Sequence, residues 1–257
     1  MLTPEICEAV LYRGEDVPFC PKMIKGMMME QNFYDNNRMR QSYIETKLFG
    51  SDVTGEIIDS LPLTKTGMKS SYQKKLDAMA AQFDVLCADK GVMVEGNTQV
   101  KVEIPYKDIY AYNVFNILPT PVTLEGETFI AGVRIILTSN LGNRSGRYCW
   151  GNIDFLDNVY SSVALFILNS AEYGIDSVTR MAKRKQIHLV YWVFDTANLS
   201  NVMFDISPNE TRLAEGNEFL RKAYYKLNNT TWDATPDFDV CQRCVLKCDK
   251  RINYIRR

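Results

Sequence analysis

Hydrophobic residues recur along this chain with two periods, and the switches between them mark where strands and helices are predicted. Val100, Val102 and Ile104 alternate with polar neighbours, which is the two-residue period of a half-buried strand. Residues 129–139 are almost continuously apolar, as in a central strand that is covered on both faces. A loop at 140–146 is predicted to turn this strand back into a hairpin partner. The predicted strands are residues 99–106, 129–139, 148–155 and 188–195.

Other segments have the three- and four-residue spacing that is typical of amphipathic helices. The clearest one has Leu76, Met79 and Phe83 on one face and ends at Gly91, a residue that commonly follows a helix C-terminus. The predicted helices lie at about residues 36–49, 70–90, 159–185 and 207–227. Strands and helices in this order predict an α/β fold, in which a mixed central sheet is flanked by helices.

Composition narrows the class of protein. The 257 residues are enough for a single domain, which we divide into an irregular segment at 1–35, a core at 36–228 and a basic, cysteine-containing tail at 229–257. A net charge of -1 argues against tight nucleic-acid binding over the whole surface, although it leaves a local basic groove open. The sequence has neither a signal peptide nor an apolar stretch that is long enough to cross a membrane, so we expect a cytoplasmic protein with no membrane partner.

The order of the predicted elements resembles the PD-(D/E)XK nuclease superfamily, and the nearest branch is the RecB-like, phage exonuclease-like one. Glu45 lies where the family's early helix places a glutamate near the metal site, and Gln99 opens the strand before the hairpin. Gly132 stands at the glycine of the family's Gly-x-x-Asp motif, and Asp154 at the acidic residue of its Asp/Glu-x-Lys motif. The resemblance covers about residues 36–250 and implies a restriction-endonuclease-like core.

The same resemblance implies that the catalytic site is degenerate. In active members two carboxylates hold Mg²⁺ and the lysine helps to orient or activate the attacking water. Glu45 and Asp154 remain as remnants, but Ile135 and Leu156 occupy the aspartate and lysine positions. Since apolar side chains cannot ligate Mg²⁺, we expect no catalytic residues and no bound magnesium. Asp154 is equally well interpreted as an ordinary residue at the end of a hairpin.

A cysteine cluster is the remaining candidate for chemistry. Cys241, Cys244 and Cys248 are close in sequence and provide three soft ligands, whereas zinc and iron–sulfur sites usually have four. In the resembled branch a lone N-terminal cysteine supplies the fourth ligand, and Cys20, which is followed by proline and lysine, matches that segment. The expectation is therefore a zinc or iron–sulfur site at these four residues. A group of reduced thiols is the alternative.

These observations favour a catalytically inactive nuclease-fold protein, encoded by a phage, that acts as a structural or interaction scaffold such as a virion or tail-connector component. Its expected partners are other proteins in a homo- or hetero-oligomer, and its expected location is the host cytoplasm or the virion. One alternative is a Mg²⁺-dependent exonuclease with migrated residues, using Glu45, Asp154 and Lys101. Another is a non-catalytic DNA-binding accessory protein, which would contact nucleic acid through its basic tail.

Overall fold

The computed structural model of this chain describes residues 1–11, 20–28, 36–138, 141, 155–171, 186–207 and 210–231. Its helices are α1 (Pro4–Leu11), α2 (Pro21–Met28), α3 (Asn36–Phe49), α4 (Ser71–Lys90), α5 (Phe155–Ser170) and α6 (Glu210–Asn228). Its strands are β1 (Thr98–Tyr106), β2 (Ile109–Leu124), β3 (Glu127–Thr138), β4 (His188–Asp195) and β5 (Asn201–Asp205). Within these ranges, no helix is both long and apolar enough to cross a membrane.

The five strands form one mixed sheet in the order β1-β2-β3-β4-β5. Neighbouring strands are antiparallel except β3 and β4, which run parallel with Ile136 opposite Val193. A parallel pair needs a crossover connection, and α5 lies in the connection between these two strands. The predicted α/β class with a mixed sheet flanked by helices is confirmed.

Each face of the sheet has its own hydrophobic core. On one face, β-strand residues such as Phe115 and Val193 join a cluster built with residues of α1, α5 and α6. On the other face, Ile135 and Trp192 join a cluster built with residues of α3 and α4. Because both faces are covered, β4 is buried at every position after His188. β3 is buried at Ala131, Gly132, Val133 and Ile135 and is half-buried or exposed elsewhere.

The first of these faces is packed very closely where α5 crosses α6. A Cβ atom at Gly216 of α6 would lie 2.1 Å from the carbonyl oxygen of Ser162 and 2.7 Å from Cβ of Phe166 in α5. No side chain fits at such distances. The two helices therefore touch backbone to backbone, and only glycine is compatible with the crossing.

The strand predicted at 129–139 corresponds to β3, and the hairpin partner predicted at 148–155 falls almost entirely outside the described residues. β3 pairs with β2 over residues 127–133 and with β4, on its other edge, over residues 131–138. Phe155 instead begins α5, and residues 148–154 lie outside the described part of the chain.

The pattern missed β2, which is the true neighbour of β3. Its sequence contains Pro119 and Pro121, which are rare inside a central strand, together with Asn113 and Asn116. The register between β2 and β3 shifts between Ile117 and Thr120, which accommodates the prolines. Two short helices, α1 and α2, also lie within the segment predicted to be irregular. The second half of the helix predicted at 159–185 falls outside the described residues.

Candidate functional site: a polar fork between two strands

Strands β2 and β3 part from each other halfway along the sheet, and several buried polar side chains lie in the gap between them. Their register runs from Leu124 opposite Glu127 to Ile117 opposite Val133. Beyond that pair, residues 109–116 remain paired with β1, and residues 134–138 remain paired with β4. We call this divergence the fork. Backbone groups that line a buried gap must find other hydrogen-bonding partners.

The side chain of Gln41, in α3, forms hydrogen bonds with the backbone of β3 where β2 has diverged from it. Its Nε2 atom donates to the carbonyl oxygen of Ile135 at 2.8 Å, and its Oε1 atom accepts from the Leu137 amide at 3.3 Å. One side-chain amide thus takes the place of a peptide group from a neighbouring strand. The same Nε2 atom also donates to Oε1 of Glu45 at 2.8 Å.

Asn116 of β2 bridges the fork at its closed end. Its Oδ1 atom accepts from the Ile135 amide at 2.7 Å, and its Nδ2 atom donates to Oε1 of Gln99 at 3.2 Å. Gln99 in turn donates to the carbonyl oxygen of Ser51 at 2.7 Å. Since Asn116 is fully buried, losing these contacts would leave polar groups without partners in a place that water does not reach.

Arg134 crosses the fork from β3 toward the opposite face of the sheet. Its guanidinium donates to the carbonyl oxygen of Val114 at 2.8 Å and approaches a carboxylate oxygen of Glu5 at 3.5 Å. Burial acts to lower the pKa of Arg134, but the surrounding Tyr160, Glu5 and Glu45 outweigh that effect and raise it. Arg134 is therefore a permanent cation within the fold.

The chain's first residues occupy the open end of the fork. Leu2 donates its amide to the carbonyl oxygen of Tyr110 and accepts from the Tyr112 amide, both at 2.9 Å. It forms a short parallel bridge with β2 opposite Ala111. Where β2 no longer pairs with β3, its free edge is thus contacted by Leu2 and by Arg134. Asn116, which is itself in β2, reaches across the gap to the Ile135 amide.

Glu45 lies at the centre of this arrangement, on the same side of the sheet as α3 and α4. Its side chain is 1% exposed. Its Oε1 atom accepts from Gln41, and its Oε2 atom accepts from the Val53 amide at 2.9 Å. Both carboxylate oxygens therefore already have a protein donor. Of the two predicted remnants, Asp154 lies outside the described residues.

Of the other predicted positions, only Ile135 is found in the interior among the residues whose side chains are described. Ile135 is 1% exposed and belongs to the apolar cluster under α3 and α4. The side chain of Leu156 is outside the described part of the chain. Lys101 is paired with Glu103 at 2.6 Å and lies 4.4 Å from the ring centroid of Tyr112 on the outer strand β1.

Asp52 holds the loop that follows α3 against the helix. Its carboxylate accepts from Ser42 Oγ at 2.6 Å and from the amides of Thr54 and Glu56 at 2.8 and 3.0 Å. Burial by itself would raise the pKa of Asp52, but these hydrogen bonds, together with one from the Thr54 hydroxyl, outweigh it and lower the pKa. The same loop presents the Val53 amide to Glu45, so Asp52 positions one of the donors of the fork.

The predicted zinc or iron–sulfur site is wrong for the part of the chain that is described. Among those residues, no three His, Cys, Asp or Glu side chains come together as a metal site would require. Cys20 is a free, buried thiol, and so are Cys7 and Cys87. Burial raises the pKa of Cys87 to about 12, which leaves it protonated and a poor ligand. The other three predicted ligands, Cys241, Cys244 and Cys248, lie outside the described residues.

Sequence reasoning found Glu45 but missed Gln41, Asn116 and Arg134, which do most of the hydrogen bonding at the fork. A signal was present, because Asn116 and Arg134 interrupt otherwise apolar strands. A polar residue in such a segment is usually buried with specific partners. The pattern cannot tell which partners, since Gln41 and Ile135 are 94 residues apart in the sequence.

Comparison with known proteins gives a fold and no family. No family model matches the chain, and no curated protein matches it. A crystal structure described as a "putative exonuclease" from Eubacterium rectale is similar, with a TM-score of 0.51 and 11% sequence identity over 88% of this chain and 82% of that chain. The structure of SSO0001 has 9% identity over 90% of this chain and 94% of that chain, but its TM-score of 0.35 is too low to support an argument. The chain thus shares the fold of the first of these structures, and the likeness carries no activity with it.

Proposed function

We propose that this protein is a nuclease-fold protein without nuclease activity, which acts as a scaffold through binding to other proteins. The observation that supports it best is that the side-chain oxygens at the fork already accept hydrogen bonds from the protein. Catalytic Mg²⁺ requires carboxylate oxygens that are free to coordinate it. At the fork, Glu45 already accepts hydrogen bonds at both oxygens, one from the Gln41 side-chain amide and one from the Val53 backbone amide.

The chemistry of these amides argues against metal-dependent cleavage. A side-chain amide has one neutral oxygen, and the oxygens of Gln41 and Asn116 already accept from the backbone of β3. A cation at the fork would therefore compete with the hydrogen bonds that the Ile135 and Leu137 amides already make. Among the described residues it would find only one buried carboxylate there, that of Glu45.

Incubation of the full-length protein with linear duplex and single-stranded DNA, in the presence of Mg²⁺ or Mn²⁺, tests this proposal. We expect no cleavage with either ion. A matched variant, Glu45→Gln, removes the charge but keeps the shape, and we expect it to behave like the wild type in this assay. Metal-dependent cleavage that Glu45→Gln abolishes would overturn the proposal and favour the exonuclease with migrated residues.

The scaffold role has its own test. Size-exclusion chromatography with light scattering should detect a stable oligomer, or co-assembly with a protein from the same genome, that is independent of divalent cations. If the protein is instead a monomer that binds duplex DNA with a steep salt dependence, the DNA-binding accessory role is favoured. Assembly into virions would support the phage origin, which stays a prediction.

A further inference from the structure

Strand β1 forms one margin of the sheet, and its outer edge carries backbone groups that the fold does not use. β1 pairs with β2 from Thr98 to Tyr106, and no strand in the described part of the chain lies on its other side. Leu2 shows which way the groups of β2 point, because it bonds to the carbonyl oxygen of Tyr110 and to the amide of Tyr112. Those two residues of β2 therefore direct their peptide groups away from β1.

The residues of β1 that lie opposite them point the other way, toward the outer edge. Glu103 is opposite Tyr112, and Lys101 is opposite Val114, whose carbonyl oxygen is bound by Arg134 on the far side of β2. In an antiparallel pair, hydrogen-bonded and non-bonded residue pairs alternate, and the non-bonded residues direct their amides and carbonyls outward. The outer edge of β1 thus presents the amides and carbonyl oxygens of Lys101 and Glu103, and no backbone group within the described ranges bonds to them.

The free edge is short and has a defined limit at each end. Pro105 has no amide to donate, so it ends the edge on one side. Gln99 has a positive φ of 50°, which interrupts the extended backbone on the other side. Between them lies the segment 100–104, which we call the free edge of β1. Its two charged side chains, Lys101 and Glu103, are 49% and 38% exposed on the same face of the sheet.

The order of the two charges makes the free edge complementary to itself. In an antiparallel pair of free edges centred on Val102, Lys101 of each copy lies opposite Glu103 of the other. Both of these pairs are of the hydrogen-bonded type, because their peptide groups are the ones that face outward. A register centred on Lys101 or on Glu103 would instead place like charges opposite each other, which is unfavourable. On the other face of the sheet, Val100 lies opposite Ile104 of the second copy, so apolar side chains meet there.

From this complementarity we propose that the free edge of β1 pairs with the free edge of a second copy of this chain. The sheets of the two copies then form one continuous sheet across a two-fold axis at Val102. Around that axis, the lysines and glutamates of the two copies alternate in sign. A strand edge that keeps other strands away usually carries charges of one kind, whereas this edge carries one of each. The proposal rests on the proposed scaffold function and names its partner, a second copy of the chain.

Charge reversals test this register in the full-length protein, with sedimentation velocity over a range of concentrations. The wild type should form a dimer. Lys101→Glu and Glu103→Lys each place like charges opposite each other at two symmetric positions, so each should weaken dimerisation by about tenfold or more. The double variant Lys101→Glu, Glu103→Lys inverts the order of the charges and should restore the dimer. Lys74→Glu, at an exposed position of α4, is the matched control and should dimerise like the wild type.

A mixture of the two single variants adds a stricter test. The free edge of Lys101→Glu carries two acidic side chains, and that of Glu103→Lys carries two basic ones. Neither variant is complementary to itself, but each is complementary to the other. An equimolar mixture should therefore contain dimers at concentrations where each variant alone is a monomer.

Amide hydrogen exchange measures whether the contact lies on β1. In the wild-type dimer the amides of Lys101 and Glu103 should exchange slowly, because they bond to the second copy. In the Lys101→Glu variant, at concentrations where it is a monomer, the Glu103 amide should exchange fast. The Val102 amide, which faces Asn113 of β2, should be protected in both proteins.

The altered side chains are exposed, and circular dichroism melts will verify that each variant is folded. A wild type that stays a monomer at every concentration would overturn the proposal, and so would single variants that dimerise like the wild type. A wild-type dimer with fast exchange at Lys101 and Glu103 would also overturn it, because another surface would then be the contact. Metal-dependent cleavage of DNA would contradict the proposed function without changing the dimer, so the two failures are distinguishable.

Discussion

The two faces of the sheet are held to their helices by different physical means. On the α5–α6 face, helix backbones meet at Gly216, and hydrogen bonds from Asn158 to Glu215 and from Arg212 to Ser161 join one helix to the other. On the α3–α4 face, an apolar cluster is combined with hydrogen bonds from Gln41 of α3 to the backbone of β3. The first face is limited by the steric fit of two helices, and the second depends on hydrogen bonds between a helix and the sheet.

This difference indicates where function can reside. A close-packed crossing tolerates almost no change in volume, so it offers no place for chemistry. A fork between strands leaves polar groups that either bind a ligand or must be satisfied by the protein itself. Here the protein satisfies them with its own side chains, namely the amides of Gln41 and Asn116 and the guanidinium of Arg134.

The largest effect is expected for Gly216→Val, which breaks the steric face. The new side chain would overlap the backbone of Ser162, so α5 and α6 would have to separate. We expect a loss of more than about 3 kcal/mol in the free energy of unfolding, at or beyond the upper end of ordinary overpacking. Urea denaturation measures it. The control is Asn217→Ala at the next, exposed position of α6, which should change stability by less than about 0.5 kcal/mol. A well-folded, equally stable valine variant would show that the crossing is looser than described.

A smaller but specific effect is expected for Gln41→Ala, which breaks the polar face. It removes the donor to Ile135 and the acceptor for Leu137, and it takes one partner from Glu45. We expect a loss of about 2–3 kcal/mol, because buried polar groups are left unsatisfied. Hydrogen exchange should speed up at the Leu137 amide. Gln82→Ala, on the exposed side of α4, is the matched control. Unchanged exchange at Leu137 would argue that water replaces the glutamine without cost.

The pH dependence of the polar face sharpens the comparison further. Asp52→Ala should destabilise the protein by about 1–2 kcal/mol at pH 7 through its lost hydrogen bonds. The folded-state pKa of Asp52 is lowered below 3.8. Its contribution is therefore present above that value and lost as the pH falls from there through the lower folded-state pKa. Urea melts at pH 7 and pH 3 should show the gap between wild type and variant closing at the acidic end. A gap that is constant with pH would mean that the carboxylate charge is not what holds the loop.

The smallest effect is expected for Ser70→Ala at the start of α4. The Ser70 hydroxyl accepts from the Gln73 amide at 3.1 Å and caps the helix. Its loss should cost about 1 kcal/mol, measured as a shift in the midpoint of thermal unfolding. Ser71→Ala, one residue later, removes a hydroxyl of the same kind from an exposed position that does not cap the helix. It should leave the midpoint of thermal unfolding nearly unchanged. Equal effects of the two substitutions would show that the cap contributes nothing.

Local patterns in the sequence were enough to find the elements with a regular period. The alternation at Val100, Val102 and Ile104 marks β1, and the spacing of Leu76, Met79 and Phe83 marks α4. The predicted range of about 70–90 and the end at Gly91 agree with the observed helix. These succeed because cap residues and side-chain periodicity act over a few neighbouring residues. β2 was missed because its prolines and asparagines disrupt the alternation, and their compensation comes from distant side chains such as Gln41.

By itself, the sequence determined the class of the fold and most of the helices. It also identified Glu45 as a candidate acidic residue. Only the tertiary structure decided that β3 lies between β2 and β4, that the two strands part at a fork, and that amides from α3 and β2 seal it. The physical reason is the distance along the sequence over which each kind of interaction acts. Capping and amphipathic periodicity depend on residues within about two turns of a helix, whereas strand pairing and buried hydrogen bonds join residues almost a hundred positions apart.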